Sequence, residues 1–511
     1  MILNKKNLNS QTFFDYILIG SGITNIACAL HLSKDKSKKI LIVEAGGFDY
    51  SEQSVSHYAG KSFGNNYLPL SGSRQRMFGG GFNCWGGRLK TFDHWDLNND
   101  YSNWPIDKND LNPYEKETFE YFVTDKNKHY YKNDIIPESG MPNENFNLHF
   151  YQWADKYHYD YLDNNIDKSK NIFLVVNLAL TKILTDSKKI LGIETTDQDK
   201  NKKIIKAKNY IIGTGAIENC RILIYNNIIN NYQLFKNHNL LGRYWSDRPE
   251  SISGEVIFTA PILFKNLDIK NYLNYSLTDD AKRKFNLVNS SIRTVISRTN
   301  NDSSIKAKVK DLICEVPKLK KYIESKRGDL LCFSYPKICL ELLPNPDNRV
   351  TLSDIDKDSF GIPLTKIFFK QSHRDYANHK KMLIEFGKYL VDNDYGRFKI
   401  NDTVLDYETL KSFHDTYENE SKWKIEDIDS FDGTTENYLK ENFLYAYHHM
   451  GGTRMANNDQ EGVVDKNLKV FGQENLYITG SSVFPSFGFT NPTFPNVQLS
   501  IRLADYLLKK S

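Results

Sequence analysis

Near the carboxyl end, the run Ala446-Tyr447-His448-His449-Met450-Gly451-Gly452-Thr453-Arg454-Met455 places two histidines before a glycine turn. A neutral imidazole accepts a proton near neutral pH, so a histidine held by such a turn is a candidate general base. Downstream, Asn475-Leu476-Tyr477-Ile478-Thr479-Gly480-Ser481-Ser482 reads as a short buried strand running into Gly-Ser-Ser, and Asn491-Pro492-Thr493 adds a side-chain amide. At the opposite end, Asp15 to Ile19 is an apolar, β-branched run that opens through Gly20-Ser21-Gly22 into helical spacing at Ala27, Leu30 and Leu32. Gly20 permits the tight turn, and Gly22 lets the backbone approach a pyrophosphate at the positive helix N-terminus. A second strand, Ile40 to Val43, ends at Glu44, about 20 residues on, where a ribose-binding carboxylate belongs. The third glycine of this fingerprint is replaced by Asn25, which predicts a slightly wider helix–strand approach with binding retained. The fingerprint alone serves NAD and FAD alike. Taken with the C-terminal pieces, it points to a flavin site closed by both ends of the chain.

These residues need a scaffold, and 511 residues are enough for two or three domains and a large core. The 67 basic and 63 acidic residues leave a formal charge of only +4. Lysine clusters such as Lys34, Lys36, Lys38 and Lys39, or Lys318, Lys320 and Lys321, sit beside acids or turns. They read as solvated loops rather than a nucleic-acid stripe. Six cysteines (Cys28, Cys84, Cys220, Cys314, Cys332, Cys339) form no metal-like pairs and suit a reducing compartment without disulfides. Met1 to Phe14 has no apolar signal core, and no stretch reaches the ~18 apolar residues of a membrane-spanning helix. A soluble, cytoplasmic protein is expected.

Strand-to-glycine patterns of a nucleotide fold occur in three distant regions. The first is about 12–92. The second holds Ile172 to Val176 and Tyr210-Ile211-Ile212-Gly213-Thr214-Gly215. The third runs from about 441 and closes with an amphipathic helix from Val497 to Leu507. The expected fold class is therefore α/β (α+β overall). A Rossmann-like nucleotide domain is assembled from 1–92, 171–245 and 441–511, and a mixed substrate domain and cap from 93–170 and 246–440. The substrate part mixes strand-like stretches (Arg349 to Leu352) with helical ones (Asp375 to Val391).

Further motifs occur in order between the two ends. They are Phe78-Gly79-Gly80-Gly81-Phe82-Asn83-Cys84-Trp85-Gly86-Gly87-Arg88; Trp104-Pro105-Ile106 with Leu111 and Tyr114; Gly213 to Arg221; Leu241-Gly242-Arg243; and Pro344-Asn345-Pro346-Asp347-Asn348-Arg349-Val350. With the two termini they resemble the glucose–methanol–choline (GMC) oxidoreductases, flavoenzymes that oxidise alcohols, over nearly the whole chain. The resemblance is closer to the pyranose oxidase and bacterial sugar dehydrogenase branch than to glucose oxidase. It implies an antiparallel sheet in the substrate domain, FAD as cofactor and a small alcohol or sugar as substrate. It also implies hydride transfer to flavin N5, with dioxygen or a quinone-like carrier as electron acceptor. Besides Asn25, Arg248 departs from the pattern, standing where the family commonly has His. Cys84 stands where some relatives carry a His bonded covalently to the flavin. A thioether there is the alternative to a small side chain packed under the ring. Glu341 precedes the Pro-Asn-Pro stretch as in similar sequences.

Counting back from Gly452-Thr453, the resemblance puts the catalytic base on His449, with Asn491 beside it at the reactive face of the flavin. Since His448 and His449 are neighbours, at most one is expected to face the flavin. The implied cofactor contacts are Gly20, Gly22, Ile23, Thr24, Glu44, Gly79, Gly80, Asn83, Cys84, Trp85, Gly86, Gly87, Gly215, Gly480, Ser481, Pro492 and Thr493. Leu180 is added from a strand, Val176 to Leu180, that meets adenine. Asp465 is read as holding a turn. Two other functions fit the same fold: a flavin-bearing lyase or decarboxylase, and a non-catalytic protein retaining a flavin pocket.

Overall fold

The structure, a computed structural model, describes residues 2–3, 8, 12–64, 69–123, 144–149, 151–154, 166, 168–235, 237–258, 273–296, 305, 309, 312–313, 316–327, 333–405 and 443–510. Five strands pair in parallel in the order Ile172–Val175, Ile40–Val43, Phe13–Ile19, Lys202–Ile212 and Leu476–Ile478. All four residues of Ile40–Val43 are buried, as expected of a strand covered on both faces. Helix Ile23–Leu32 packs on the C-terminal helix Thr493–Lys510, and the two contribute Ile26, Ala27, Val497 and Ile501 to one core. The long strand Lys202–Ile212 serves twice: its second half joins the parallel sheet, and Lys202 to Ile205 pair antiparallel with Ile190–Thr196.

Among the described residues a second sheet has eight strands, all paired antiparallel. Its main path runs Gly396–Ile400, Gly254–Phe258, Phe333–Cys339, Ser291–Ile296, Leu273–Leu277 and Phe146–His149. Strand Pro249–Ile252 lies between Phe333–Cys339 and Phe443–Tyr445. The face is covered by helix His373–Asp392, whose Leu383, Phe386 and Leu390 meet Val256, Tyr275 and Ile292 in a separate core. Ser372 and Asp375 cap this helix reciprocally.

Some predicted elements differ in extent. The closing helix spans Thr493–Lys510, starting directly after Asn491-Pro492, because Pro495 in its first turn needs no N–H partner there. The stretch from Val176 to Leu180 is not one strand. The first strand stops at Val175, Asn177 turns with φ +56°, and a new strand begins at Ala179. Arg349–Lys357 extends beyond the short predicted strand and forms a hairpin with Pro363–Phe369, which pairs in parallel with Gly60–Gly64. The segment 246–440 thus lends a strand to the N-terminal region, a tertiary contact with no local sequence signal. Among the described residues Cys28, Cys84, Cys220 and Cys339 are free; Cys314 and Cys332 lie outside them. No helix of the described residues is long and apolar enough to cross a membrane.

Candidate active site

The parallel strands share one orientation, so their carboxyl ends share one edge, where open α/β sheets bind ligands. Gly20, Glu44, Gly213 and Gly480 follow four of these strands, and all line a cavity of about 580 Å³. Leu178, Ala179 and Leu180 line it from beyond the fifth strand. Gly20 has φ +91°, and a Cβ there would lie 2.5 Å from the Gly213 carbonyl oxygen, which explains the glycine at this crossing. Helices Ile23–Leu32 and Ala216–Ile229 begin without a side-chain cap, leaving their first N–H groups for an anion.

Glu44 is buried and held. One carboxylate oxygen accepts from Ser21 N (2.9 Å) and Ser21 Oγ (2.6 Å), the other from Gly46 N (2.7 Å). Asn25, in place of the third glycine, is built into the helix–strand junction. Its side chain is fully buried, donates to the carbonyls of Ile19 and Gly20 at 2.8 and 2.9 Å, and accepts from Thr479 Oγ1 at 2.7 Å. The amide ties the end of the first strand to the residue that follows the last. Gly213 accommodates it, since a Cβ there would come within 2.5 Å of Asn25 Oδ1.

The same cavity is lined by Cys84, Trp85, Gly86, His448, His449, Asn491, Pro492, Thr493 and Asn496. Both histidines line it. Residues 446–449 have irregular backbone, with Tyr447 at φ +58°, so neighbouring residues need not alternate sides as in a strand. The turn is fastened on two sides: Met450 and Ser246 exchange 2.8 Å hydrogen bonds, Gly451 N donates to the Ser481 carbonyl (3.0 Å), and Ser481 Oγ donates to the His449 carbonyl (2.6 Å). Gly452 has φ +99°, and a Cβ there would meet Cys220 Sγ at 2.2 Å. The His449 ring lies 5.9 Å from that of Trp245. Burial, reinforced by the Arg74 charge, holds its pKa down to about 3, so the imidazole is neutral at working pH. Burial likewise pushes His448 well below the ordinary range, with Arg248 adding to it.

Of the residues proposed from the sequence, Gly20, Gly22, Ile23, Thr24, Glu44, Gly79, Gly80, Cys84, Trp85, Gly86, Leu180, Gly215, His449, Gly480, Ser481, Asn491, Pro492 and Thr493 line this one cavity. Asn83 and Gly87 do not. The Asn83 amide donates to the carbonyls of Phe78 (2.8 Å) and Gly80 (3.1 Å), shaping the loop from behind, and Gly87 accepts from Ala154 N (2.8 Å). Asp465 holds a turn, accepting from the N–H groups of Asn467 and Lys469. The sequence reading missed Arg74 and Arg76, which line the cavity just before the glycine loop, and Tyr58, which lines it beneath the Arg74 guanidinium. An Arg-x-Arg pair preceding a glycine-dense loop was the available signal.

The chemistry of the walls fits a dinucleotide that ends in a flat ring. A Cβ at Gly22, Gly81, Gly86 or Gly215 would meet nothing within 4 Å, so these glycines border open cavity. Trp85 Nε1, His448 Nδ1, Asn491 Oδ1 and Asn496 Oδ1 are buried without a protein partner, and all four residues line the cavity. Such groups call for a polar ligand.

A family model described as GMC oxidoreductase matches residues 344–500. The fructose dehydrogenase large subunit of Gluconobacter japonicus is 24% identical over 345 residues, covering 66% of this chain and 54% of that protein, so this chain spans about half of its length. The oxygen-dependent choline dehydrogenase of Rhizobium rhizogenes is 34% identical over 80 residues, 16% of this chain and 15% of that protein. Among solved structures, pyridoxine 4-oxidase from Mesorbium loti superposes with TM-score 0.61 at 12% identity, over 96% of this chain and 99% of that one. A formate oxidase of Aspergillus oryzae RIB40, studied for its FAD modification, gives 0.60 at 14% identity, over 98% and 99%. The structural likenesses establish a shared mixed α/β fold. Through the family match over its C-terminal third, the chain is similar to the GMC oxidoreductases, which are FAD-dependent enzymes.

Proposed function

We propose that this protein oxidises the CH–OH group of a small alcohol or sugar, as an FAD-dependent dehydrogenase or oxidase. One observation carries the reading: a single cavity is lined both by the Gly20–Gly22 turn and Glu44 and by His449 and Asn491. We assign the nucleotide-binding part to 1–92, 171–245 and 441–511 and the substrate part to 93–170 and 246–440. When bound, FAD supplies a hydride acceptor at N5. The protein's share is to loosen the hydroxyl proton, since charge developing on oxygen expels the hydride. His449, neutral and desolvated, takes that proton. Asn491 hydrogen-bonds the same oxygen and holds it while charge builds. An anaerobic screen of alcohols and sugars for bleaching of the flavin tests the reading, and its repetition in air separates oxidase from dehydrogenase. A substrate that is turned over without any bleaching would favour the lyase alternative. A preparation lacking flavin would favour a disused pocket.

Two further results are expected of the cofactor. FAD should leave the polypeptide on denaturation. Cys84 borders the cavity, but its Sγ donates to the Gly81 carbonyl at 3.5 Å, and burial raises its pKa, so little thiolate is available to attack a ring. Flavin absorbance that stays with the unfolded chain would refute this and identify Cys84 as the link. Glu44→Gln, which keeps the volume but not the charge of the ribose acceptor, should weaken FAD binding by roughly 1.5–3 kcal/mol. Titration of the apoprotein with FAD measures it, and an unchanged affinity would remove Glu44 from the ribose site.

A further inference from the structure

Two chain segments meet at the reactive end of the cavity, and one dipeptide at the start of the Pro249–Ile252 strand holds both. Asp247 is fully buried, and its Oδ1 accepts from the backbone N–H of His448 at 2.7 Å and of Arg248 at 2.7 Å. Arg248, 1% exposed, extends its guanidinium to the other segment. Its Nη1 donates to the carbonyl of Phe489, two residues before Asn491, and its Nη2 pairs with Glu250 at 3.3 Å. The Tyr151 hydroxyl donates to the same carbonyl at 3.3 Å. Glu250 is paired in turn with Lys337, so the guanidinium fork is oriented from behind. Neither Asp247 nor Arg248 lines the cavity.

We propose that Asp247 and Arg248 are positioning residues that set His449 and Asn491 against each other. This rests on the roles given above to those two residues. A buried guanidinium holds two partners in a fixed plane, which a lysine ammonium, a point charge on a flexible stem, does not reproduce. A displacement of about 1 Å at reacting groups is enough to cost on the order of 100-fold in rate. The dipeptide therefore acts on the rate without touching the substrate.

The test is a pair of double-mutant cycles on the FAD-loaded enzyme, read by anaerobic stopped-flow reduction, substrate dissociation constant and flavin content. Arg248→Lys keeps a cation beside buried Glu250 and so preserves the fold where Arg248→Met would strand a carboxylate. It should slow reduction by about 10–100-fold, with flavin content and substrate dissociation constant unchanged. In an Asn491→Ala background its effect should shrink to within about twofold, because no amide remains to be placed. Asp247→Asn should lose its effect in the same way in a His449→Ala background. Full, additive slowing in those backgrounds, or slowing that follows flavin loss, would overturn the proposal and leave the pair a purely structural role. If Asn491→Ala and His449→Ala themselves leave reduction intact, the assignment of the catalytic pair has failed first, and the single variants reveal this before any cycle is closed.

Discussion

His449→Ala should slow anaerobic flavin reduction by about 10²–10⁴-fold while FAD stays bound, the usual worth of a positioned general base. The residue lines the cavity, and its backbone carbonyl, not its ring, accepts from Ser481 Oγ, so truncation leaves that fastening of the turn in place. Asn491→Ala should cost less, since it removes one hydrogen bond and no proton acceptor. His448→Ala should affect stability more than reduction. The reverse ranking of the two histidines would shift the base by one position, and an effect from neither would dismiss the assignment. The pH profile supplies a second check. With the His449 pKa held at about 3 by burial and the Arg74 charge, the ring stays neutral as pH falls. Reduction should then hold level from about pH 8 to pH 5, whereas an ordinary solvated histidine would protonate near 6.5. An acid limb centred there would show that the ring is solvated in the working enzyme.

Arg221→Met should destabilise the protein by about 3–5 kcal/mol, the cost of stripping one partner from a buried charge pair. Arg221 is 2% exposed and pairs with Glu218 at 3.0 Å and Asp358 at 2.7 Å. It also donates to the carbonyls of Pro363 (2.7 Å), Ile362 (3.1 Å) and His57 (3.3 Å). It thereby ties helix Ala216–Ile229 to the turn of the Arg349–Phe369 hairpin, and Asp358, Phe360 and Ile362 of that turn line the cavity. Chemical denaturation of the holoprotein measures the loss, and a change below about 1 kcal/mol would show that the network is dispensable. Burial raises the Asp358 pKa, but hydrogen bonds from His57 and Arg221 overcome it and bring the value to about 2. A carboxylate depressed in this way stabilises the fold fully above its unfolded pKa, near 3.8, and loses that contribution as pH falls towards 2. In Arg221→Met the acid-dependent part of the stability in this window should shrink.

The nucleotide end of the site was legible because its chemistry is local. Gly20-Ser21-Gly22 needs positive φ and an open helix N-terminus within a few residues, and Glu44 follows its own strand directly. The use made of Asn25 was not legible: sequence shows a glycine missing, but the partner that engages its amide, Thr479, is 454 residues away. The resemblance placed Asn83 among the cofactor contacts, yet its side-chain amide binds the loop's own carbonyls.

By itself the sequence determined the elements that follow from periodicity and turn chemistry: the buried strands, the glycine turns, and the histidine and asparagine that a flavin chemistry would use. The family resemblance ordered them. Only the tertiary structure decided which side chains share a space, because convergence depends on contacts between residues hundreds of positions apart, and these leave no trace in local spacing. The carboxyl ends of the parallel strands bring Glu44, Gly213 and Gly480 to one edge. Asp247 and Arg248, just before a strand of the antiparallel sheet, reach the segments of His448 and Phe489 at once. Arg248, in sequence only a departure from a pattern, becomes in the fold a buried fork whose planar geometry, and not its charge alone, holds the segment that carries Asn491.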